Sequence, residues 1–533
     1  MSIKIYFILT LLTYVYYLTY KSRKALHMLQ QNWYNDGNRY LKWVKTNAKK
    51  VFITYDMAFI LFYFFKFLDT KITLIIFAVF YLVVYFLYKN NAIKEQSKKP
   101  LVVTARIKRL YTTMYVLLIL CLLPIIIHFN VNNLFIYYLI IGLFSYINTI
   151  IIWLCNIINK PIEKMVYLHY KRQAQNKLYS MNFLKKIAVT GSYGKTSTKN
   201  ALNDILNVKY NSFATPKSFN TMYGLINAIN NYMDKFSETF VAEMGAFYRG
   251  EIKEKANFIK PKYGILTIIG TAHLESFGSQ ENIQKAKFEL IDSLPDDGVA
   301  VLNMDDPYQT SYKLKSKCKV IWVSTKNKDS DVYATDIKLS NKGTTFTCIF
   351  KNTKEKHTFE TKLLGSANVY NVLQAIAMSY ELGLTLEQIA IGVRRIQTIE
   401  QRLELKKYTE NIYIIDDAYN SNPVGSKMAV DVLKMMKGKR IIVTPGMIEL
   451  GDEQYSSNYE FGRQIAGCAD EVILVGEEQT KPIQDGLEKE KYPKSQTHIL
   501  NDVKEAFPLM RKLSDKETYV LLENDLPDIF NEK

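Results

Sequence analysis

Thr190-Gly191-Ser192-Tyr193-Gly194-Lys195-Thr196-Ser197-Thr198 is the stretch of this 533-residue chain whose residue types and spacing could most directly do chemistry. Glycines let backbone N–H groups approach phosphate oxygens, a helix N-terminus adds positive dipole, and a lysine neutralises charge. The threonine hydroxyl after that lysine is placed to ligate the magnesium ion that travels with a nucleotide triphosphate. An apolar run, Ile187-Ala188-Val189, precedes the loop, and helix-forming residues 199–206 follow it. Only Ser192 and Tyr193 separate Gly191 from Gly194, fewer than the general phosphate-loop pattern places before its Gly-Lys pair. A tight turn with an exposed lysine would read the same way, so the loop alone does not decide.

Other stretches could work beside it. Val241-Ala242-Glu243-Met244-Gly245-Ala246 sets a carboxylate at the end of an apolar run. Gly270-Thr271-Ala272-His273-Leu274-Glu275-Ser276-Phe277-Gly278 sets a histidine just past another. Lys285-Ala286-Lys287-Phe288-Glu289 lies on the helical segment after that, and Ala214-Thr215-Pro216-Lys217-Ser218-Phe219-Asn220 is a loop before a helix. Farther on come Gln401-Arg402-Leu403-Glu404 and Asp416-Asp417-Ala418-Tyr419-Asn420-Ser421-Asn422-Pro423. Taken singly, each has a plain reading: Glu243 as a surface carboxylate, His273 as a loop histidine, Lys287 as a solvated helix charge, Asp417 and Asn420 as turn formers. Their order and spacing carry more than any one of them.

The elements that must position these groups show as alternation. From about 181, short apolar runs at 187–189, 239–242, 263–269 and 299–302 read as strands, and 221–232, 283–293 and 369–382 as helices. That pattern predicts an α/β fold with a parallel sheet and crossover helices. Strand ends of such a sheet share one crevice, where ligands bind. A second series at 412–415, 440–444, 471–475, 498–500 and 518–522 predicts a smaller Rossmann-like domain.

The N-terminal third differs. Apolar stretches at about 3–20, 51–68, 72–88, 110–128 and 133–155 each approach the roughly 20 residues that cross a bilayer, with Tyr and Phe near their ends. Residues 1–186 carry 25 Lys/Arg against 5 Asp/Glu, and the rest of the chain 44 against 46, so the formal charge of +18 belongs to this third and argues against nucleic acid as a partner. Basic segments 21–50, 89–109 and the stretch after 155 fall in the cytoplasm by the positive-inside rule. The expectation is a multi-pass protein of the inner cell membrane with its catalytic part cytoplasmic. Lys21-Ser22-Arg23-Lys24, rather than a small-residue cleavage site, follows the first stretch and argues against a signal peptide. Segment 21–50, with Trp33, Tyr34, Tyr40 and Trp43 among lysines, reads as lying among the lipids of the inner leaflet. Asp56 and Lys66 read as end charges that snorkel to the interface. Five scattered cysteines without a C-x-x-C pair argue against a disulfide framework or a zinc site. The expected layout is a membrane domain of about five helices over 1–158, a juxtamembrane linker over 159–184, a nucleotide-binding domain over 185–398 and the smaller domain over 399–533.

With these residues in this order, the chain resembles the Mur ligases, ATP-dependent enzymes that add amino acids to the peptidoglycan peptide, and most of all the branch that adds D-alanyl-D-alanine. The resemblance covers about residues 185–530, and Ala272–Ser279 and Asp416–Pro423 carry it furthest. It implies a helical membrane region followed by a central α/β P-loop ATPase domain and a Rossmann-like C-terminal ligase domain. In that family a substrate carboxylate attacks the γ-phosphate of ATP, and an amine then displaces phosphate from the acyl phosphate. The resemblance implies that Gly191, Ser192, Tyr193, Gly194, Lys195, Thr196 and Ser197 hold ATP, with Asn368, Arg402, Asp417 and Asn420 as further nucleotide contacts. It also implies two Mg²⁺ ions, held by Thr196, Glu243, His273 and a carbamylated Lys287, with Lys195, His273 and Lys287 as the catalytic set.

The departures matter too. Apolar spans stand where the family has a soluble domain that grips the UDP-sugar. Asn220-Thr221 replaces an Asn-Asn pair, Ala367-Asn368 a His-Asn pair, and residues 522–528 a Lys-Gly-Ser. The expected reaction is therefore addition of D-Ala-D-Ala, or another amino acid or dipeptide, to a UDP- or lipid-linked cell-wall peptide precursor, with membrane proteins as further partners. Two other readings remain: a ligase building poly-γ-glutamate or a glutamate tail, and a non-catalytic ATP-binding regulator of a membrane partner.

Overall fold

Twenty-nine consecutive residues without glycine or proline, Ile3–Gln31, form the first helix of the computed structural model. The structure describes residues 3–35, 39–60, 68–94, 100–127, 134–418, 421–448 and 450–525. It divides into two compact units, Met1–His169 and Tyr170–Lys533.

The first unit is helical: α1 (Ile3–Gln31), α2 (Leu41–Thr46), α3 (Ala48–Phe52), α4 (Thr70–Lys94), α5 (Ala105–Ile127), α6 (Leu134–Tyr146) and the start of α7 (Asn148–Ser180). Helices α1 and α4 lie side by side and run in the same direction. Thr10 Oγ1 donates to Leu74 O at 3.0 Å, Tyr17 stacks on Tyr81 with ring centroids 5.4 Å apart, and Tyr20 meets Tyr85 at 5.3 Å. By length and composition, Thr70–Asn90 in α4 and Ala105–Pro124 in α5 are apolar enough to cross a membrane, and a third crossing is available if the pair Ile136–Tyr146 and Asn148–Ser180, bent by 71°, counts as one. Five spans were expected. Among the described residues, the stretch 51–68 is no single helix: α3 ends at Phe52, residues 55–60 form a 3-10 turn, and 61–67 lie outside the described residues.

Two further expectations about this unit change. Asp56 does not snorkel; it is buried in an ion pair with Lys21 and accepts a hydrogen bond from Tyr88 Oη at 2.9 Å. Lys66 lies outside the described residues. Tyr40, expected at a lipid surface, is fully buried and donates to Thr149 O at 3.0 Å. Residues 159–180 belong to α7, which continues through Pro161 to Ser180.

In the second unit, β1 (Lys185–Thr190), β2 (Ser212–Ala214), β3 (Thr239–Glu243), β4 (Tyr263–Leu266), β5 (Val299–Asn303), β6 (Lys319–Ser324), β7 (Val332–Ser340), β8 (Gly343–Phe350) and β9 (Lys356–Thr361) form one sheet in the order β2-β3-β1-β4-β5-β6-β7-β8-β9. Strands up to β7 are parallel, and β7, β8 and β9 continue as an antiparallel meander. All five residues of β3 and of β5 are buried, as expected for parallel strands covered on both faces. Helix α8 (Lys195–Leu206) and helices Ser366–Glu381 and Leu386–Arg395 pack their apolar sides into the core with Val189, Val241, Ile265 and Val301. Strand β1 has β3 on one side and β4 on the other, so the strand order reverses there and a crevice opens at the strand ends. A second sheet holds β10 (Glu404–Lys407), β11 (Ile412–Asp417), β12 (Lys439–Thr444), β13 (Glu471–Val475), β14 (Thr497–Leu500) and β15 (Thr518–Glu523), ordered β10-β11-β15-β12-β13-β14; only β10 is antiparallel.

Candidate active site

The glycine loop turns at two points that need glycine. Gly191 has φ +148° and Gly194 φ +81°; a Cβ on Gly191 would sit 2.0 Å from Thr267 Oγ1, and one on Gly194 2.5 Å from Asn371 Oδ1. Strand β4 stops at Leu266, short of the expected Ile269, because the next residues pin the loop instead. Ser192 N donates to Ile268 O at 2.7 Å, and Thr267 Oγ1 donates to Tyr193 O at 2.5 Å. Helix α8 starts at Lys195, so the first-turn N–H groups, including those of Thr196 and Ser197, have no carbonyl one turn back and face the crevice. The Lys195 ammonium folds onto its own loop, donating to Gly191 O and Ser192 O at 2.8 Å each. Desolvation brings its pKa down to about 8, Glu243 opposing and Arg402 adding to the shift.

Register places Glu243 at this loop: it pairs with Val189 across β3 and β1. Its carboxylate is 1 % exposed. Oε1 accepts from Asn220 Nδ2 at 3.0 Å, and the backbone N–H donates to Thr215 Oγ1 at 3.2 Å. Oε2 is buried and accepts no hydrogen bond among the described residues, although Lys199 Nζ stands 3.4 Å from it. His273 sits just past β4 at φ +61°, its ring 4.4 Å from that of Phe247. Lys287 lies on helix Gln280–Phe288, which Ser279 caps through Asn282 N. The Lys287 side chain is buried with its ammonium 5.4 Å from the Phe277 ring, and makes no ion pair among the described residues. Burial, with the Lys195 and Lys255 charges, pushes that ammonium well below the ordinary lysine range.

The nucleotide-side residues divide. Asn368 Oδ1 accepts from Asn371 Nδ2 at 3.1 Å, and Asn371 Oδ1 accepts from Thr198 Oγ1 at 3.2 Å, so Asn368 reaches the loop helix through Asn371. Asp417 closes β11, accepts from Leu403 N at 3.1 Å, and is pushed up to about 6 by burial. Its partner across the strands is Glu523, which is buried and whose Oε1 accepts from Ser421 Oγ at 2.6 Å. The charge of Arg402 acts on both Lys195 and Asp417. Asn420 lies outside the described residues. Sequence reasoning missed Asn371 and Lys199. Asn371 gave no signal beyond its i+3 spacing from Asn368; Lys199 shares a helix face with Lys195 at i+4.

Among the described residues, no three His, Cys, Asp or Glu side chains gather as a metal site. Magnesium bound to nucleotide needs less, one or two protein oxygens plus phosphate oxygens. Glu243 Oε2, which has the Lys199 ammonium at 3.4 Å, and the Thr196 hydroxyl fit that demand. A second ion on His273 and Lys287 has one protein donor short while Lys287 is an amine.

Residues 189–379 match the Mur ligase middle domain, and residues 401–523 match the Mur ligase, glutamate ligase domain. These residues carry the two Mur ligase domains. Mur ligases are ATP-dependent, ADP-forming acid–amino acid ligases. The chain is 34 % identical over 283 residues to the UDP-N-acetylmuramoyl-tripeptide--D-alanyl-D-alanine ligase of Bacillus subtilis (strain 168), which covers 52 % of this chain and 60 % of that one. It is 31 % identical over 294 residues to the enzyme of the same name from Escherichia coli (strain K12), covering 55 % and 64 %. The match thus spans less than two thirds of these relatives. The fold superposes on crystal structure I of MurF from Acinetobacter baumannii with a TM-score of 0.61 and 26 % identity, over 67 % of this chain and 77 % of that one. The MurF ligase of Thermotoga maritima in complex with ADP shares the fold, with a TM-score of 0.60. Residues 1–188 lie outside both Mur ligase domain matches.

Proposed function

We propose that this protein is an ATP-dependent ligase that joins D-Ala-D-Ala, or a similar amino acid or dipeptide, to a cell-wall peptide precursor. The observation that carries this reading is the Glu243 carboxylate: buried, with the Lys199 ammonium 3.4 Å from Oε2, and registered beside a glycine loop whose lysine holds only its own backbone carbonyls. A carboxylate oxygen of the precursor attacks the γ-phosphorus and ADP leaves. The amine nitrogen of the incoming residue then attacks the acyl carbon, inorganic phosphate leaves, and the amine sheds a proton. Lys195 exchanges its two loop carbonyls for phosphate oxygens, and the first-turn N–H groups of α8 hold the phosphates in line. Magnesium held by Thr196 and Glu243 would offset the repulsion between the two anions that must meet. Buried Lys287 with no carboxylate partner suits a carbamate, which would turn a cation into an oxygen donor beside His273. Asn368, Arg402, Asp417 and Asn420 serve the nucleotide side. We place the helical first unit in the inner membrane and take the acceptor to be lipid-linked.

Detergent-solubilised protein given ATP, D-Ala-D-Ala and either a UDP-linked or a lipid-linked tripeptide precursor tests this. Faster ADP release with the lipid-linked acceptor is expected; equal turnover of the soluble precursor removes the lipid-linked acceptor from the reading. Lys287→Ala should abolish amide formation, and short carboxylic acids should restore part of it. An unimpaired variant would leave the ATP-binding regulator as the better reading.

A further inference from the structure

Lys199 is a charged side chain with no exposure at all, on the second turn of α8. Its ammonium donates to Thr215 O at 2.8 Å and to Lys217 O at 2.5 Å, and stands 3.4 Å from Glu243 Oε2. One cation therefore ties together the helix of the glycine loop, the loop at 215–220 and the end of β3. The 215–220 loop needs such a tie, because Lys217 sits at φ +47°, a region costly for a side chain with a Cβ. The same loop supplies both groups that orient Glu243: Thr215 Oγ1, which accepts its backbone N–H, and Asn220, whose Nδ2 donates to Oε1. Asn220 O also accepts from Gly245 N at 3.0 Å, which fastens the far end of the loop to the residues after β3. Two of the three ammonium protons go to the carbonyls, and the ammonium as a whole stands in an ion pair with Glu243 Oε2 at 3.4 Å.

We propose that Lys199 is a positioning residue, which fixes the 215–220 loop so that Glu243 presents Oε2 to the divalent cation of a bound nucleotide. This rests on the ligase reading above. Removing the ammonium takes the donor from the buried Thr215 carbonyl and from the part-buried Lys217 carbonyl, and a buried acceptor left without a partner is costly. The loop must open to hydrate them, and Thr215 and Asn220 then release Glu243. The electrostatics give the opposite sign. Loss of a like charge beside the site would by itself tighten cation binding. The direction of the change therefore separates orientation from charge.

The test uses the full-length protein in detergent, with Mn²⁺ and ADP as probes and free Mn²⁺ read by electron paramagnetic resonance. Hydrogen exchange of residues 215–220 is followed without nucleotide. Lys199→Met is expected to weaken Mn²⁺ binding about tenfold and to speed exchange in the loop, Lys199→Arg to recover part of both. Lys199→Met added to Glu243→Gln should bind Mn²⁺ no more weakly than Glu243→Gln alone, since Lys199 acts through that carboxylate. Unchanged or tighter Mn²⁺ binding in Lys199→Met, or additive losses in the double variant, overturns the proposal. If Lys199→Met does not fold, Lys199→Gln takes its place under the same outcomes. A wild-type protein that binds no Mn²⁺ with ADP would instead defeat the ligase reading.

Discussion

At the scale of single residues, the site is built from groups held where water would not leave them. Gly194 shows how little slack there is. Gly194→Ala must keep a left-handed backbone, at about 1–2 kcal/mol, and place a methyl against Asn371 Oδ1. Nucleotide affinity by calorimetry should fall at least about tenfold. Asp417 and Glu523 give a prediction with a pH sign. Burial raises both carboxyls above their ordinary range, Glu523 well above it, and the Asp417 charge adds to the rise at Glu523. Between about pH 4 and 6 the folded chain keeps protons that the unfolded chain has lost, so stability falls as pH rises through that window. Glu523→Gln removes one of the two charges. Its urea midpoint should exceed that of the wild type at pH 7.5, and the gap should close below pH 5. A constant gap at both pH values would contradict the shared burial of charge.

At the scale of elements, packing against α8 governs the loop. Helix Leu386–Arg395 approaches so closely that a Cβ on Gly392 would lie 2.5 Å from Ile205 Cα. Gly392→Val should cost about 1–3 kcal/mol by overpacking, read in urea unfolding, and should weaken nucleotide binding by shifting α8. The strands that carry the site were legible because they are short and apolar: β1, β3 and β5 appear in the sequence as unbroken hydrophobic runs. Strands β7, β8 and β9 were not, since an antiparallel meander with a solvated face alternates polar and apolar residues, as in Gly343–Phe350. The edge strand Glu404–Lys407 has no apolar run at all. Glu243 and Lys287 were legible as residues, but their burial was not. A one-dimensional reading treats a lysine on a helix as solvated, and only the packed structure shows Lys199 and Lys287 withdrawn from water.

At the scale of the whole molecule, the two units present different surfaces. Exposed Ile72, Ile75, Val79, Val83, Val116, Ile119 and Leu120 make the outer faces of α4 and α5 apolar. Such faces call for lipid. The protein should stay with membranes through an alkaline carbonate wash and leave them only with detergent; release by carbonate alone would count against spans in the first unit. Composition foretold the helical character of this unit and its basic flanks. It did not foretell the Lys21–Asp56 pair, because two opposite charges 35 positions apart carry no pairing signal until the fold brings them together.

The parallel course of α1 and α4 also has a consequence in time. Neighbours that point the same way cannot close as a hairpin, so α1 must be made and then wait while 38 intervening residues are added before α4 begins. At roughly 5–20 residues per second, several seconds pass before Leu74 O emerges to receive Thr10 Oγ1, and longer before Tyr81 can cover Tyr17. During that interval the newborn helix carries Thr10 and Tyr17 without their partners on α4. The ribosome thus releases a first helix that the topology leaves unfinished until α4 arrives.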